Sequence, residues 1–421
     1  MRKIFLMLVL AATLIVCGCG QQVQQVPPLP GTLPNALTAP EQIDTDVYFD
    51  ATVSMKGFTS LAAGNVYITL PDMLGDMCGA LGTVKFFSFG ETIHALEGRD
   101  HRRFATPDVY VEPITAVANV VAAADTNHLS IIVTDLFESD SDWSNVTQNL
   151  REKFFANRLA VAVIGIRNSF HGEIFDVGLN AAKFRYNSWD NPERFRPFYL
   201  LVMGRDAVVK NFLRRFNERV LPNDTGYLLL SGNLTETAAD FSKFTVEEQE
   251  NFYSDDTLGL DSRVKQFGVD DFNAPASFIF SWKYEPPLGA CPLDLSAVDT
   301  DVEIFTVDGD EWLARESNDV RVSLMKIDKR PENLFVKVAL TPTRSLAEGK
   351  MNFVRARVMP TALGYKLPPW VELWSVTVDG AAKNFDGSKT LNLSRLLGSL
   401  KDSAFMAARP VLLTIDFVVA P

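Results

Sequence analysis

The sequence predicts an α/β protein, a doubly wound and mostly parallel sheet followed by a mainly antiparallel β-sandwich. Three observations carry that expectation. From residue 46 to about residue 222, apolar runs of strand length alternate with segments of helical period, the pattern that puts helices on both faces of one sheet. Several of those runs, Val47–Phe49 and Leu129–Val133 among them, are continuously apolar, as strands buried on both faces are. From residue 276 the helical period gives way to short strands separated by turn residues, the texture of a sandwich.

The chain of 421 residues is long for one hydrophobic core, and two domains are expected. A content of 47% hydrophobic and 22% charged residues is that of a globular chain. The formal charge of -12 comes with no Lys/Arg cluster, which excludes nucleic acid as an expected partner.

Residues 1–19 read as a targeting segment, with Arg2 and Lys3 before the apolar run Ile4–Val16. That run is short for a membrane-spanning helix. Val16-Cys17-Gly18-Cys19 resembles the bacterial lipobox. The resemblance implies lipidation at Cys19, because Gly18 is the small residue wanted before the modified cysteine and Val16 is a poor one before Cys17. An ordinary secretory signal is the alternative, and either way the mature chain leaves the cytoplasm. The expected location is the cell envelope, on the periplasmic or cell-surface side of a membrane touched through the anchor alone. Residues 20–42, with Pro27, Pro28, Pro30, Pro34 and Pro40, read as an extended tether, with an ordered arm against the domain as the alternative. Only Cys78 and Cys291 remain beyond the leader, so no disulfide framework is expected. The four histidines show no zinc-ligand spacing.

Residues 43–235 form the expected α/β domain. After the strand at 47–49, Val66, Leu70, Leu74, Met77 and Leu81 recur at helical spacing over 65–81. A strand is expected at 84–89, a short edge strand at 109–111, a helix at 115–124 and a buried strand at 129–134. A helix over 143–157, strands at 159–166 and 197–203, and a helix over 207–219 complete the alternation. Residues 236–275 read as an acidic linker with one short helix opened by a capping box at Thr245–Glu248. The sandwich, 276–421, is expected to place strands at 277–284, 302–307, 319–327, 334–340, 351–359, 371–378 and 410–419, with a helical insertion at 393–400. Asp308-Gly309 and Asp379-Gly380 are its turn signals. Trp282, Phe305, Phe335, Phe353 and Trp374 fall on its strands and read as core.

The chemistry concentrates where the first strand ends. Asp50, Thr52 and Ser54 set one carboxylate and two hydroxyls at alternate positions, and the carboxyl ends of strands are where such sheets bind ligands. Short, hard oxygens suit Mg²⁺ or Mn²⁺ better than zinc or copper. Asp50-Ala51-Thr52-Val53-Ser54-Met55 resembles the first motif of von Willebrand factor type A domains, Asp-x-Ser-x-Ser followed by Met. Ile131-Ile132-Val133-Thr134-Asp135 is similar to that family's later strand ending in Thr-Asp, and Thr115 opens a helix as its lone threonine does.

The resemblance implies a Rossmann-like fold and a metal-ion-dependent adhesion site over about residues 46–222. Thr52 and Ser54 would ligate Mg²⁺ or Mn²⁺ directly, and Asp50, Thr115 and Asp135 would ligate it or hold its waters. A metal with few anionic protein ligands stays electrophilic, so a protein partner can complete its shell with a carboxylate. Thr52 departs from the usual Ser but keeps the hydroxyl, Leu136 stands where the family often has Gly, and Thr106 is the alternative to Thr115. Glu138, Asp140 and Asp142 read as solvated loop charge.

These features point to metal-dependent protein binding at the envelope, without enzymatic turnover. A structural subunit with a vestigial metal site is one alternative. A haloacid dehalogenase-like phosphatase is another, weakened because Thr52 stands where those enzymes place a second Asp. No Gly-x-Ser-x-Gly, phosphate-binding glycine loop or His-Glu-x-x-His is present.

Overall fold

The structure is a computed structural model that describes residues 27–30, 42–60, 65–136, 140–175, 183–189, 191–220, 224–235, 244–255, 264–315, 320–326, 333–340, 346, 349–377 and 386–420. The expected leader with Cys19, Glu138 and the expected turn at Asp379-Gly380 lie outside the described residues.

The first half builds a seven-stranded sheet. Its chain order is β1 (Thr45–Asp50), α1 (Val66–Gly79), β2 (Val84–Phe89), β3 (Ile93–Leu96), α2 (Val117–Ala123), β4 (Leu129–Thr134), α3 (Asp140–Lys153) and β5 (Ala160–Asn168). A hairpin of β6 (His171–Phe175) and β7 (Lys183–Asn187) follows, then β8 (Arg196–Gly204), α4 (Asp206–Asn217) and β9 (Thr225–Leu230). The strands lie in the order β3-β2-β1-β4-β8-β5-β9. α1 and α4 contribute to the core on one face (Leu70, Leu74, Phe212 and Phe216 with Val47, Ile131 and Ile164), and α2 and α3 to the core on the other (Val120, Val146 and Leu150 with Tyr48, Ile132 and Val163).

The α/β class agrees with expectation, but the sheet is mixed. β1 pairs in parallel with β2 and β4, whereas β8 runs antiparallel to both β4 and β5, and β9 antiparallel to β5. The reason lies in the connection. A parallel return needs a crossover of a dozen or more residues, usually a helix. Between β5 and β8 the described chain holds the β6–β7 hairpin and a short helical turn, so it re-enters the sheet at the edge it left and runs back. The expected edge strand at 109–111 is a 3₁₀ turn at Pro107–Val109, and the edge belongs to β3.

The second half builds two sheets from β10 (Val246–Glu250), β11 (Phe252–Ser254), β12 (Lys265–Val269), β13 (Ala276–Lys283), β14 (Val298–Asp308), β15 (Glu311–Arg315), β16 (Val320–Lys326), β17 (Asn333–Leu340), β18 (Asn352–Pro360) and, last in the chain, a strand at Leu413–Ala420. Four strands in the order β10-β13-β17-β16 face six in the order β11-β12-(413–420)-β18-β14-β15. Phe278 of β13 stacks on Phe267 of β12 at 4.7 Å and meets Phe417 edge-on at 5.3 Å, so the two sheets share a core. Trp282, Phe335 and Phe353 are buried as expected, and Phe305 and Trp374 half-buried.

Four expectations here are corrected. The short helix at Thr245–Glu248 is β10, paired antiparallel with β13, and the acidic linker holds three strands of the sandwich. Glu247–Glu250 are exposed and have no apolar stripe to bury as a helix, so the ladder with β13 decides their conformation. The strand at 371–378 is α5 (Pro369–Leu373), which begins at Pro369, a residue pre-set for a first helical turn, and only Ser375–Val376 extend. The insertion at 393–400 is a longer helix, α6 (Leu393–Ala408), lying against α3 of the α/β half. Finally, Pro27–Pro30 of the expected tether contact the sandwich: the Trp312 indole N–H donates to the Pro27 carbonyl at 3.1 Å.

α5 joins the halves. Gly165 of β5 and Gly226 of β9 are register partners, and a Cβ at Gly226 would lie 2.4 Å from the Trp370 ring, one at Gly165 2.7 Å from Trp374. The two tryptophans therefore sit in a hollow that only glycine leaves open. The Trp370 indole N–H donates to the Tyr227 carbonyl at 3.0 Å.

Candidate functional site

The carboxyl ends of β1 and β4 lie side by side because their parallel register pairs Phe49 with Val133, leaving Asp50 and Thr134 as neighbours at the sheet edge. Asp50 is fully buried. One of its oxygens, Oδ1, accepts the Thr52 backbone N–H at 2.9 Å, and Oδ2 accepts the Thr134 hydroxyl at 2.8 Å. Thr52 and Ser54 place their hydroxyls 3.1 Å apart.

Thr115 arrives from a third segment. Glu112 bridges to Thr52, with the Val53 N–H on the Glu112 carbonyl and the Glu112 N–H on the Ala51 carbonyl, both at 3.1 Å. This short ladder docks the loop and carries the Thr115 hydroxyl to 3.3 Å from Asp50 Oδ2 and 3.2 Å from Thr52 Oγ1. Thr106 is not at this edge; its hydroxyl is exposed and bonds the Arg103 carbonyl at 2.8 Å. Thr115 lies just ahead of α2, which begins at Val117. All five residues singled out in the sequence, Asp50, Thr52, Ser54, Thr115 and Asp135, thus stand on the loops and strand ends of one edge.

Two residues escape the sequence reading. Thr134 stands out in the sequence only as part of Thr-Asp, yet its hydroxyl, at 2.8 Å, is closer to Asp50 than the Thr52 backbone nitrogen or the Thr115 hydroxyl. Arg196 belongs to no motif in the sequence. It opens β8, and since β8 is antiparallel its first residue reaches the edge where β4 and β5 end. Its guanidinium is buried with Nη2 3.8 Å from Asp135 Oδ2, while Nη1 donates to the Gly387 carbonyl at 3.2 Å. The lack of an apolar helical stripe in the sequence between residues 168 and 196 is the signal that points to an antiparallel return and so to this place for Arg196.

No protein-family model matches this sequence, and no curated protein matches it.

Burial first, and the charge of Asp135 second, push the Asp50 carboxyl up to about 7, against the lowering effect of its bonds from Thr52 and Thr134. Burial pulls the Arg196 guanidinium down, and Asp135 opposes that. With Asp50 ionised as well as Asp135, two buried carboxylates would stand against the one guanidinium beside Asp135, and a buried charge is costly unless compensated. A divalent cation is one compensation that fits the donors. Oxygens about 2.1 Å from magnesium in an octahedron are spaced about 3 Å apart, and three contacts here, Thr52–Ser54 at 3.1 Å, Thr52–Thr115 at 3.2 Å and Thr115–Asp50 at 3.3 Å, are hydrogen bonds of that length. Among the described residues no group of three or more His, Cys, Asp or Glu gathers to hold a metal; this set supplies two carboxylates and relies on hydroxyls for the rest. Cys78 and Cys291 are free and buried, with thiols pushed up to about 12 by burial, so neither offers a soft ligand at this edge.

Proposed function

We propose that this chain is a von Willebrand factor type A-like, lipid-anchored envelope protein that binds a protein partner through a divalent cation held at Asp50, Thr52, Ser54, Thr115 and Asp135. The observation that carries the reading is the convergence of Asp50, Thr52, Ser54 and Thr115 from two separate segments into one hydrogen-bonded set of oxygens, with Asp135 just past the end of the neighbouring strand. Thr52 and Ser54 would hold the ion through hydroxyls, with Asp50, Thr115 and Asp135 ligating it or its waters. Mg²⁺ or Mn²⁺ would supply an electrophilic centre for a partner's carboxylate. Val53, Val111 and Ile114, 37%, 70% and 54% exposed, add an apolar rim beside the hydroxyls for a partner to cover. Anchoring at Cys19 is part of the proposal, and among the described residues no helix is long and apolar enough to cross a membrane.

Binding without turnover suits the buried carboxylate. A phosphatase nucleophile must be reached by a phosphoryl group, whereas Asp50 is wholly buried. A second reading is favoured by Arg196: a guanidinium already beside Asp135 can stand in for part of the metal charge, which would leave a structural subunit with a vestigial metal site. Calorimetric titration of Mg²⁺ and of Mn²⁺ into the purified protein tests the first reading. Saturable binding in the wild type, lost in Asp50→Ala and Ser54→Ala, is expected. Absence of saturable heat in the wild type removes the metal and leaves the structural reading. A pull-down from envelope extracts with and without chelator then identifies the partner.

A further inference from the structure

We propose that the outer face of the six-stranded sheet is a binding site for proline-rich segments in the polyproline II conformation, with Pro27–Pro30 of the same chain as its resident occupant. Alternation along the strands sends Ile304, Val354 and Phe417 into the sandwich core and turns Phe305, Phe353 and Val418 the other way. A sheet face that looks away from its sandwich partner is ordinarily polar. Here Phe353 and Val418 are wholly buried on that outer side, in a cluster of their own with Leu29 and Trp312 packed against it.

The occupant has the matching chemistry. In Pro27-Pro28-Leu29-Pro30 each proline fixes φ near -65°, and Pro27 and Leu29, which precede prolines, are held extended as well. Such a segment is polyproline II before it binds, so docking costs little ordering entropy. An aromatic platform with an indole N–H reaching a backbone carbonyl is how grooves hold these helices. Trp312 does both: it meets Phe353 edge-on at 6.1 Å and donates to the Pro27 carbonyl at 3.1 Å. Leu29 supplies the apolar anchor. The leader-proximal stretch is then a ligand of the sandwich, and the site takes an extended Pro-Pro-Leu-Pro-type peptide. This proposal stands apart from the metal reading, since none of its residues lies at the Asp50 edge.

The test labels the full chain with 5-fluorotryptophan and assigns the Trp312 resonance among six tryptophans by Trp312→Phe. Leu29→Asp is expected to move that resonance towards its solvent-exposed position and leave the other five in place, which also reports that the fold is intact. A synthetic peptide of residues 21–32 should return it saturably, while the same peptide carrying Leu29→Asp should bind about tenfold or more weakly, the loss expected for an anchor side chain. The wild-type resonance should ignore the peptide, its site being filled. A Trp312 resonance unmoved by Leu29→Asp, or no saturable return on adding peptide, overturns the proposal. A wild-type position that changes with protein concentration shows a second copy's segment in the groove and overturns the resident assignment.

Discussion

Leu136 follows Asp135 with φ at +57°, in the left-handed region, and yet its side chain is only 3% exposed. Left-handed backbone costs a non-glycine residue about 1–2 kcal/mol, while truncating a buried leucine costs about 2–5 kcal/mol. Packing outweighs strain, so both Leu136→Ala and Leu136→Gly should destabilise. The glycine variant should be the more stable of the two by about 1 kcal/mol, the reverse of the usual order, because it alone sheds the backbone strain. Denaturant midpoints of the pair measure this, and an alanine variant as stable as the glycine one would count against a strained Leu136. Asp50 gives a second test. Its carboxyl is raised from 3.8 to about 7 by burial and then by Asp135, so it holds its proton more tightly folded than unfolded. Its contribution to stability is full below pH about 4, falls as pH rises, and is gone above about 7, with a slope of at most about 1.4 kcal/mol per pH unit. In chelator, unfolding free energies across pH 4–8 should show that decline, and Asp50→Asn should flatten it. The oxygens of this site are legible because residue types at fixed spacing name their own chemistry; the strain at Leu136 is not legible from the leucine itself, and only its standing where the resembled family often has Gly hints at it.

The elements read well wherever burial alone decided them. β1, β2, β4 and α1 fall within a few residues of expectation because continuous apolar runs and a helical stripe admit one reading. Direction and partner are another matter. The apolar run at 197–203 is the same string whether its strand runs up or down, and only the connection before it, the β6–β7 hairpin, sets the antiparallel course. Thr245–Glu248 match a capping box by composition, while pairing with β13, distant in sequence, makes Val246–Glu250 a strand. The Trp370 and Trp374 hollow is also long-range: nothing near Gly226 announces a ring waiting about 140 residues later. A Cβ there would stand 2.4 Å from Trp370, closer than packing permits, so α5 must shift. Gly226→Ala should therefore destabilise by about 1–3 kcal/mol, the cost of overpacking a filled core. A red shift of tryptophan emission should accompany the lower thermal midpoint, and an unchanged spectrum and midpoint would mean the hollow is looser than its contacts.

At the scale of the whole molecule, Arg196 connects what the two halves do. Its guanidinium lies 3.8 Å from Asp135 and donates to the carbonyl of Gly387, which precedes α6, so the charge at the candidate centre is tied to the segment leading into that helix. A metal and this guanidinium would both answer the charge of Asp135, and each should weaken the case for the other. Arg196→Met removes the buried partner of Asp135, and breaking a buried pair typically costs about 3–5 kcal/mol. If the pocket holds a divalent cation, millimolar Mg²⁺ should recover part of that loss, because an ion at a hundredfold its dissociation constant adds about 2.7 kcal/mol. The thermal midpoint of Arg196→Met should then rise more on adding Mg²⁺ than that of the wild type, in which the guanidinium opposes the ion. Equal and negligible shifts in both proteins would instead show that Arg196 is the cation this fold uses, and that the hydroxyls of Thr52, Ser54 and Thr115 serve only to hold Asp50.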